Sequence, residues 1–531
     1  MRHLLHHLID EAAERWPDGE ALRFKGQSMT YGELLARSNG VARAMVDLGV
    51  RRGDRVGLYL PKGFEQIAAT HGILKAGASF VPLDPAAPPA RVAEMVRDCE
   101  PTAIVATGGR AADLVPELNG CRPKGFLLAD DGTERGELPV PVIDWADATA
   151  DPGASDPGVR VTELDLCLIA YTSGSTGAPK GVMHNHASFF TATEWFTERW
   201  ALTAEDRLAL HPALHFLMAP YMVWSAPRVG ASIVIFGEDE TGWGSEFVRL
   251  VRGERITVWL GVSPAISQLV HAGAEPGSLP SLRVLIFGGA PFPRKDLEDL
   301  RQLLPTTQLA QVYGTTETLF ISLYPFWELP PDDGQPLSVG PGIELIEPIL
   351  MRDETTPCEP GEAGEYYVRT PTLMRGYWRL PDLTRKALVP NPLDPDNPDL
   401  VYRSGDVLRM APDGNYTFVG RTDNQIKTRG YRVELEEVER CIAAHPKVRQ
   451  VAVVALPHPQ WVNVLGATVV PEAGQELHAA DVKGHVADRL PAYMVPAEVR
   501  IVAELPKGSS GKIDRSRIWD ELVARSASGG S

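Results

Sequence analysis

At 531 residues, 44% hydrophobic and 23% charged, the chain has an ordinary globular composition and length for roughly three or four domain-sized units. Its net charge of −17 argues against a nucleic-acid surface or a polybasic membrane contact, and no apolar run approaches the roughly 20 residues that span a bilayer. The five cysteines, Cys99, Cys121, Cys167, Cys358 and Cys441, are odd in number, widely spaced and free of any Cys-x-x-Cys pair. They read as reduced cytoplasmic thiols with no disulfide framework and no structural zinc.

The N-terminus, Met1 to Asp10, is too polar for a signal-peptide core. Leu4, Leu5, Leu8, Ile9 and Ala12 fit one helical face, and His3, His6 and His7 read as solvated rather than metal-binding. Up to residue 420 short apolar or β-branched runs alternate with amphipathic stretches. Strands are expected at Arg55 to Leu60, Ser79 to Leu83, Thr102 to Ala106, Ser232 to Phe236 and Arg283 to Phe287, and helices at Glu65 to Lys75 and Glu246 to Arg252. That alternation predicts an α/β fold with parallel sheets covered on both faces. A mainly β segment is expected from Gly342 to Phe418. The Asp-, Pro- and Gly-rich stretch Asp147 to Arg160 reads as a surface connection, and Val389 to Asp399, with four prolines, as a loop. After Gly420 a compact unit of about 110 residues restarts, within the usual domain size. It carries a hairpin signal, a helix at Leu435 to Ala444, a strand at Val448 to Leu456 and a helix near Ala480 to Leu490. The tail from Arg525 to Ser531 reads as disordered.

The most informative segment is Tyr171-Thr-Ser-Gly-Ser-Thr-Gly-Ala-Pro-Lys-Gly181, which follows the apolar run Leu164 to Ala170. Hydroxyls, flexible glycines and one lysine delivered at a strand end suit a polyphosphate. The spacing is not that of a P-loop, because Lys180 is followed by Gly181 and not by a hydroxyl. An ordinary Ser/Gly surface loop is the bland alternative. No Gly-x-Ser-x-Gly elbow, His-Glu-x-x-His helix or kinase motif set offers a rival chemistry.

Further segments follow in order: Tyr313-Gly-Thr-Thr-Glu317, Tyr402-Arg-Ser-Gly-Asp406, Gly420-Arg-Thr-Asp-Asn-Gln-Ile-Lys-Thr-Arg-Gly430 and Pro506-Lys-Gly-Ser-Ser-Gly-Lys-Ile-Asp514. Together with Thr30-Tyr31-Gly-Glu-Leu34 they resemble the adenylate-forming superfamily of acyl-CoA synthetases, nonribosomal peptide synthetase adenylation domains and luciferase. The resemblance implies a large domain over residues 1–422, built of two doubly wound αβα subdomains and a β-barrel-like subdomain. It also implies a small mobile α+β domain over residues 423–531, hinged at Asp423.

It further implies ATP-dependent activation of a carboxylic acid as acyl-AMP with release of pyrophosphate, then transfer to a phosphopantetheine thiol. Residue by residue, Thr172, Ser173, Gly174, Ser175, Thr176, Gly177 and Lys180 are expected around the β- and γ-phosphates. Thr316 is expected at the α-phosphate and Glu317 on Mg²⁺, the usual carboxylate-plus-phosphate setting of that ion. Gly288, Tyr313, Gly314 and Thr315 complete the nucleotide site, with Asp406 on the ribose and Arg421 on ribose or phosphate. Lys512 bridges the substrate carboxylate and the α-phosphate in the first step. Gly430 lines the approach of the pantetheine arm in the second. Plainer alternatives stand beside these: Glu317 as a helix-start residue, Asp406 as a turn residue, Lys512 as a surface lysine.

Leu74-Lys-Ala-Gly-Ala-Ser-Phe-Val-Pro-Leu-Asp-Pro85 and Gly420-Arg-Thr-Asp-Asn-Gln are similar to peptide-synthetase adenylation domains, so a carrier protein loaded in trans is the expected acceptor. Free CoA is the alternative within the same fold, and a non-catalytic nucleotide-binding relative the alternative from another class. In amino-acid-activating relatives an aspartate after an aromatic residue binds the substrate ammonium. Aligned on Gly230-Ala231, that position is Leu217, between Phe216 and Met218. His215, closing Pro212-Ala-Leu-His, is similar to the Pro-x-x-His run of acyl-CoA synthetases. Tyr221, Phe287, Val312, Phe320 and Ile321 are expected to line the same pocket. Among such residues an ammonium lacks a counter-charge, which predicts an aryl, alicyclic or aliphatic acid and not an α-amino acid.

Overall fold

The computed structural model describes residues 3–130, 136–174, 178–237, 245–332, 334–394, 396–423, 425–458, 461–507 and 513–528. The chain forms two units: Met1–Pro85, Val96–Tyr171 and Gly181–Thr422 make the first, and Ala86–Met95, Thr172–Lys180 and Asp423–Ser531 the second.

In the first unit, Thr30-Tyr31-Gly-Glu is a helix start. Thr30 Oγ1 accepts the Glu33 N–H at 3.2 Å and Glu33 Oε2 accepts the Thr30 N–H at 2.8 Å, a reciprocal capping box that opens the helix Tyr31–Asp47. That helix packs on Phe64–Lys75, which is buried at every position but Glu65. A Cβ on Gly72 would stand 2.7 Å from Val41 Cβ and 2.8 Å from the Ser38 carbonyl, so only glycine lets the two helices approach this closely.

One eight-stranded sheet runs Leu319–Phe326, Gln308–Thr315, Val284–Gly288, Val258–Val262, Arg207–Leu210, Ser232–Ile235, Glu20–Phe24, Gln27–Thr30. Its inner pairs are parallel and its two edge pairs antiparallel. A second runs Gly376–Tyr377, Lys180–Asn185, Leu166–Thr172, Ser79–Pro82, Arg55–Tyr59, Ala103–Ala106, Gly125–Leu128, Val142–Asp144. One apolar core joins Leu22 and Ile233 of the first sheet to Val56, Phe80 and Leu168 of the second. A third, five-stranded antiparallel sheet takes Glu347–Met351, Ala363–Arg369, Leu388–Pro390, Leu400–Met410 and Tyr416–Arg421. Within the predicted loop Val389 to Asp399, Val389 and Pro390 belong to the edge strand Leu388–Pro390, where a proline costs no ladder bond.

The second unit has a hairpin, Gln425–Thr428 with Tyr431–Glu434, and a three-stranded sheet of Val448–His458, Val462–Pro471 and Glu498–Ile501. The helices Leu435–Ala443 and Ala479–Ala487 cover one core of that sheet, and Arg515–Ser528 covers another. The tail expectation is corrected here: helix continues through residues 525–528, because Ile518 and Leu522 anchor it in a core. Among the described residues no helix is long and apolar enough to cross a membrane, and all five cysteines are free.

His6 is a second correction. It is buried, with its ring 5.5 Å from His186, because the apolar face of His7–Arg15 draws the preceding residues into the core. His186 Nδ1 accepts the Leu5 N–H at 3.3 Å. Burial pushes the His71, His186 and His211 rings down to about 3 and His184 down to about 4. These rings are neutral when folded and titrate near 6.5 when unfolded, so their contribution is fully present above about pH 6.5 and is lost as pH falls. Thermal melts should give a steady Tm between pH 7 and 8 and a progressive fall below about pH 6.5. A Tm unchanged down to pH 5 would show that the rings are hydrated in the folded protein.

Candidate active site

The Tyr313 motif makes a hairpin tip between Gln308–Thr315 and Leu319–Phe326. The reversal is so tight that a Cβ on Gly314 would stand 2.2 Å from the Leu319 carbonyl. Leu319 itself has φ +64, a costly conformation for a residue with a γ-branch. Three successive carbonyls hold the tip. Thr316 O accepts His184 Nε2–H at 2.7 Å, Glu317 O accepts the Met374 N–H at 2.8 Å, and Thr318 O accepts the Thr372 hydroxyl at 2.7 Å. With its pKa pushed down to about 4, chiefly by burial, His184 is neutral and carries its proton on Nε2.

This frame buries the Glu317 side chain completely and aims Oε1 at the Tyr377 hydroxyl, which donates at 2.8 Å. A buried carboxylate held by a neutral donor suits a cation. Among the described residues no cluster of three or more His, Cys, Asp or Glu could hold a metal. One carboxylate shared with phosphate oxygens is how Mg²⁺ is commonly bound, so the residues fit that ion in the presence of a nucleotide.

Two residues before the tip, the same strand reaches the Tyr402 motif through Tyr313. Tyr313 donates its hydroxyl to Asp406 Oδ2 at 2.5 Å, and Arg421 Nη1 donates to Asp406 Oδ1. Gly405, at φ +72, lets the strand Leu400–Met410 turn Asp406 inward, and the Asp406 N–H donates to Ser404 Oγ at 3.0 Å. Burial, then the Asp406 charge, drives the Tyr313 phenol far above its ordinary pKa, so it stays a donor. The structure thus brings Tyr313, Asp406 and Arg421 together. Arg421 lies on Asp406, and two acceptor positions of that carboxylate are already used. Gly288 ends its strand against Val312, whose carbonyl would be 2.1 Å from an added Cβ, so close packing demands the glycine.

In the second unit Ser173 and Lys180 are buried, and Thr172 Oγ1 is buried with no hydrogen-bond partner among the described residues. An orphaned hydroxyl there fits a loop that receives an oxyanion. Ser175, Thr176, Gly177 and Lys512 lie outside the described residues. Gly430, at φ +85, follows Arg429 at φ +52, a turn with both central residues left-handed, which gives this glycine a conformational reason of its own. Thr428 Oγ1 donates to Asn463 O at 2.7 Å and Asn463 Nδ2 to Lys427 O at 3.0 Å, tying the hairpin to the neighbouring sheet. Asp423 Oδ1 accepts the Gln425 N–H at 3.2 Å.

A family model described as AMP-binding enzyme matches residues 9–378, and one for the AMP-binding enzyme C-terminal domain matches residues 437–512. The chain belongs to the AMP-binding enzyme family. As a member it is an adenylate-forming ligase. It is 30% identical over 514 residues to an L-proline–[L-prolyl-carrier protein] ligase of Pseudomonas fluorescens, covering 96% of this chain and 98% of that protein. It is 33% identical over 520 residues to a dimodular nonribosomal peptide synthase of Bacillus subtilis, covering 96% of this chain but 21% of that protein. The amide bond synthetase McbA from Marinactinospora thermotolerans has the same fold, with a TM-score of 0.82 at 26% identity over 97% of this chain and 99% of that one.

The residues expected to line the acid pocket of this AMP-binding enzyme fall into three cores. Tyr221 and Phe320 stack face to face with ring centres 4.2 Å apart, and the Phe320 N–H donates to the Tyr221 hydroxyl at 3.2 Å. Val312 shares their core, and Leu217 and Met218 pack against it. His215 and Phe216 are half-buried with rings 4.7 Å apart. Phe287 and Ile321 pack elsewhere. Phe287 packs with Phe292 and Phe326, and Ile321 with Tyr313, Tyr366 and Tyr416. Side chains alternate along a strand, so Ile286, and not Phe287, faces the Tyr221 side, and Phe320 excludes Ile321 from it. Sequence reasoning missed Ile286, Tyr377 and His184. The period of two could have found the first, whereas nothing local marks the other two.

Tyr377→Phe removes the hydroxyl that donates to Glu317 while keeping the ring. Acid-dependent pyrophosphate exchange should fall about tenfold or more, the usual worth of a hydrogen bond to a charged group. The Mg²⁺ concentration for half-maximal exchange should rise while Tm stays near the parent value. An unchanged Mg²⁺ dependence would remove Glu317 from the metal.

Proposed function

We propose that this chain activates a carboxylic acid lacking an α-ammonium group as its acyl-AMP and passes the acyl group to the phosphopantetheine thiol of a carrier protein. In the first step the acid's carboxylate attacks the α-phosphorus of ATP and pyrophosphate leaves. Both reactants are anionic, so positioning and charge compensation carry the catalysis. Thr172, Ser173, Gly174 and Lys180, with Ser175, Thr176 and Gly177, hold the β- and γ-phosphates. Glu317 is the ligand for Mg²⁺, which when bound neutralises phosphate oxygens. Thr316 lies beside the α-phosphate, Asp406 takes the ribose hydroxyls, and Lys512 bridges the carboxylate and the α-phosphate. In the second step the thiol attacks the acyl carbonyl and AMP leaves, after a hinge movement at Asp423 that withdraws Lys512 and presents the Gly430 turn. The five free cysteines support a reducing, cytoplasmic setting.

What supports the acid class is Leu217, standing where amino-acid-activating relatives carry an aspartate and packing with Met218 against the apolar core that holds Tyr221, Ile286, Val312 and Phe320. Burying an ammonium there costs several kcal/mol without a partner. In a panel of free acids, pyrophosphate exchange should favour aryl, alicyclic or aliphatic acids over α-amino acids by at least about a hundredfold, the scale of one unpaired buried charge. Selective turnover of proline or alanine would refute the assignment.

The two-step account makes a separate claim for Lys512. Lys512→Ala should lower acyl-AMP formation by about two to three orders of magnitude, on the scale of one transition-state donor. Supplied with preformed acyl-AMP, the variant should form thioester at close to the parent rate. Equal losses in both half-reactions would show that one arrangement serves both.

A further inference from the structure

Asp98 lies in the last turn of the helix Pro89–Cys99, where the helix dipole favours a cation and disfavours a carboxylate. Its partners give the carboxylate another use. Asp98 Oδ2 accepts the Tyr171 hydroxyl at 2.5 Å, and the Asp98 carbonyl accepts the Trp378 indole N–H at 3.1 Å and Arg379 Nη1–H at 3.3 Å. Arg55 closes the same helix end, donating to the Cys99 carbonyl at 2.9 Å and the Glu100 carbonyl at 2.8 Å. The Arg55 and Arg379 guanidiniums stand 4.9 and 5.6 Å from the centre of the Trp378 ring, which holds the indole in place.

Both arms lead to the site. Tyr171 is the residue at which the strand Leu166–Thr172 gives way to the Ser/Gly motif, and burial first, then Cys99 and Asp98, drive its phenol far above the usual value, so it stays a donor. On the other arm, the Trp378 N–H donates to the Gly181 carbonyl at 2.7 Å, continuing the antiparallel pairing of Tyr377 with Val182. A Cβ on Gly181 would stand 3.3 Å from both Tyr171 Cζ and Trp378 Cβ, so the two arms close on one point. Tyr377, the neighbour of Trp378, is the donor to Glu317.

We propose that Asp98 is a positioning residue for the adenylation step, holding the Tyr171 strand end with its carboxylate and the Tyr377–Trp378 segment with its carbonyl. The strand end that opens the Ser/Gly motif and the donor that fixes Glu317 then share one anchor. Asp98 meets no reacting group; it sets the spacing between groups that must meet the nucleotide together, where small misplacements are costly. This rests on the reading of Glu317 as the Mg²⁺ ligand in acyl-AMP formation.

Tyr171→Phe cuts the first arm, Trp378→Phe cuts the second, and Asp98→Ala removes the anchor's carboxylate. In the free protein, amide hydrogen exchange over residues 374–379 should quicken several-fold in Trp378→Phe and Asp98→Ala, with no change at residues 79–82 of the same sheet. Pyrophosphate exchange should fall about tenfold in Tyr171→Phe and Asp98→Ala, the scale of one hydrogen bond to a charged group, and the Mg²⁺ concentration for half-maximal exchange should rise. The double variant Tyr171→Phe/Asp98→Ala should be no worse than Asp98→Ala, because both changes cut one arm. Asp98→Asn, which keeps an acceptor for Tyr171, should recover most of the loss. Thioester formation from preformed acyl-AMP should stay near the parent rate in every variant. Additive losses in the double variant, equal losses in both half-reactions, or unchanged amide exchange over residues 374–379 would overturn this inference alone. A parent enzyme without acid-dependent pyrophosphate exchange would overturn the adenylation reading with it.

Discussion

The fully buried carboxylate of Glu317 is the constraint around which the first unit is arranged. A charge in that position needs a tip that cannot relax, and the chain provides one by accepting a left-handed Leu319 and a glycine at 314. His184, Met374 and Thr372 then fix three successive carbonyls, and Tyr377 fixes the side chain. These partners come from the second sheet and from the connection that carries Thr372 and Met374, so distant parts of the chain converge on one turn. The strand that ends in the tip also carries Tyr313 to Asp406. The Glu317 and Asp406 carboxylates are thereby set by the same strand end, one beyond its tip and one on Tyr313.

Burial carries the electrostatics of the first unit in a consistent direction. His184 is held neutral beside Glu317, so it shapes the turn without cancelling the carboxylate. Asp406 is balanced by Arg421, and the tyrosine that holds it is kept protonated. Glu317 accepts a hydrogen bond from the neutral Tyr377 hydroxyl, which fits a role in binding a cation that arrives with the nucleotide. Lys75 shows the structural use of the same physics. Its ammonium is buried in the main core but meets Asp10 and Asp156, so it ties two remote segments together.

Much of this was legible in the residues. Alternation of apolar runs and amphipathic stretches gave the parallel sheets, and the glycine-flanked motifs marked the turns that need them. Thr30 to Leu34 was legible as a motif, and its physical content is a capping box. What stayed hidden depends on tertiary packing. His6 looks solvated until the helix behind it pulls it inward. Phe287 and Ile321 pack in cores separate from that of Tyr221, a difference that one position in a period of two decides. Tyr377 and His184 reach the Glu317 turn across 60 and 132 residues, the first from a strand of two residues, and no local pattern announces them.

The central claim is that one chain makes an acyl-AMP and then a carrier-bound thioester. The most direct measurement is the intact mass of a holo-carrier protein incubated with the enzyme, ATP, Mg²⁺ and an accepted acid, beside a parallel reaction containing free CoA. The account predicts AMP as the nucleotide product and a carrier mass increased by the acid less one water. ADP as the product, or a thioester formed on CoA with the carrier unmodified, would contradict it.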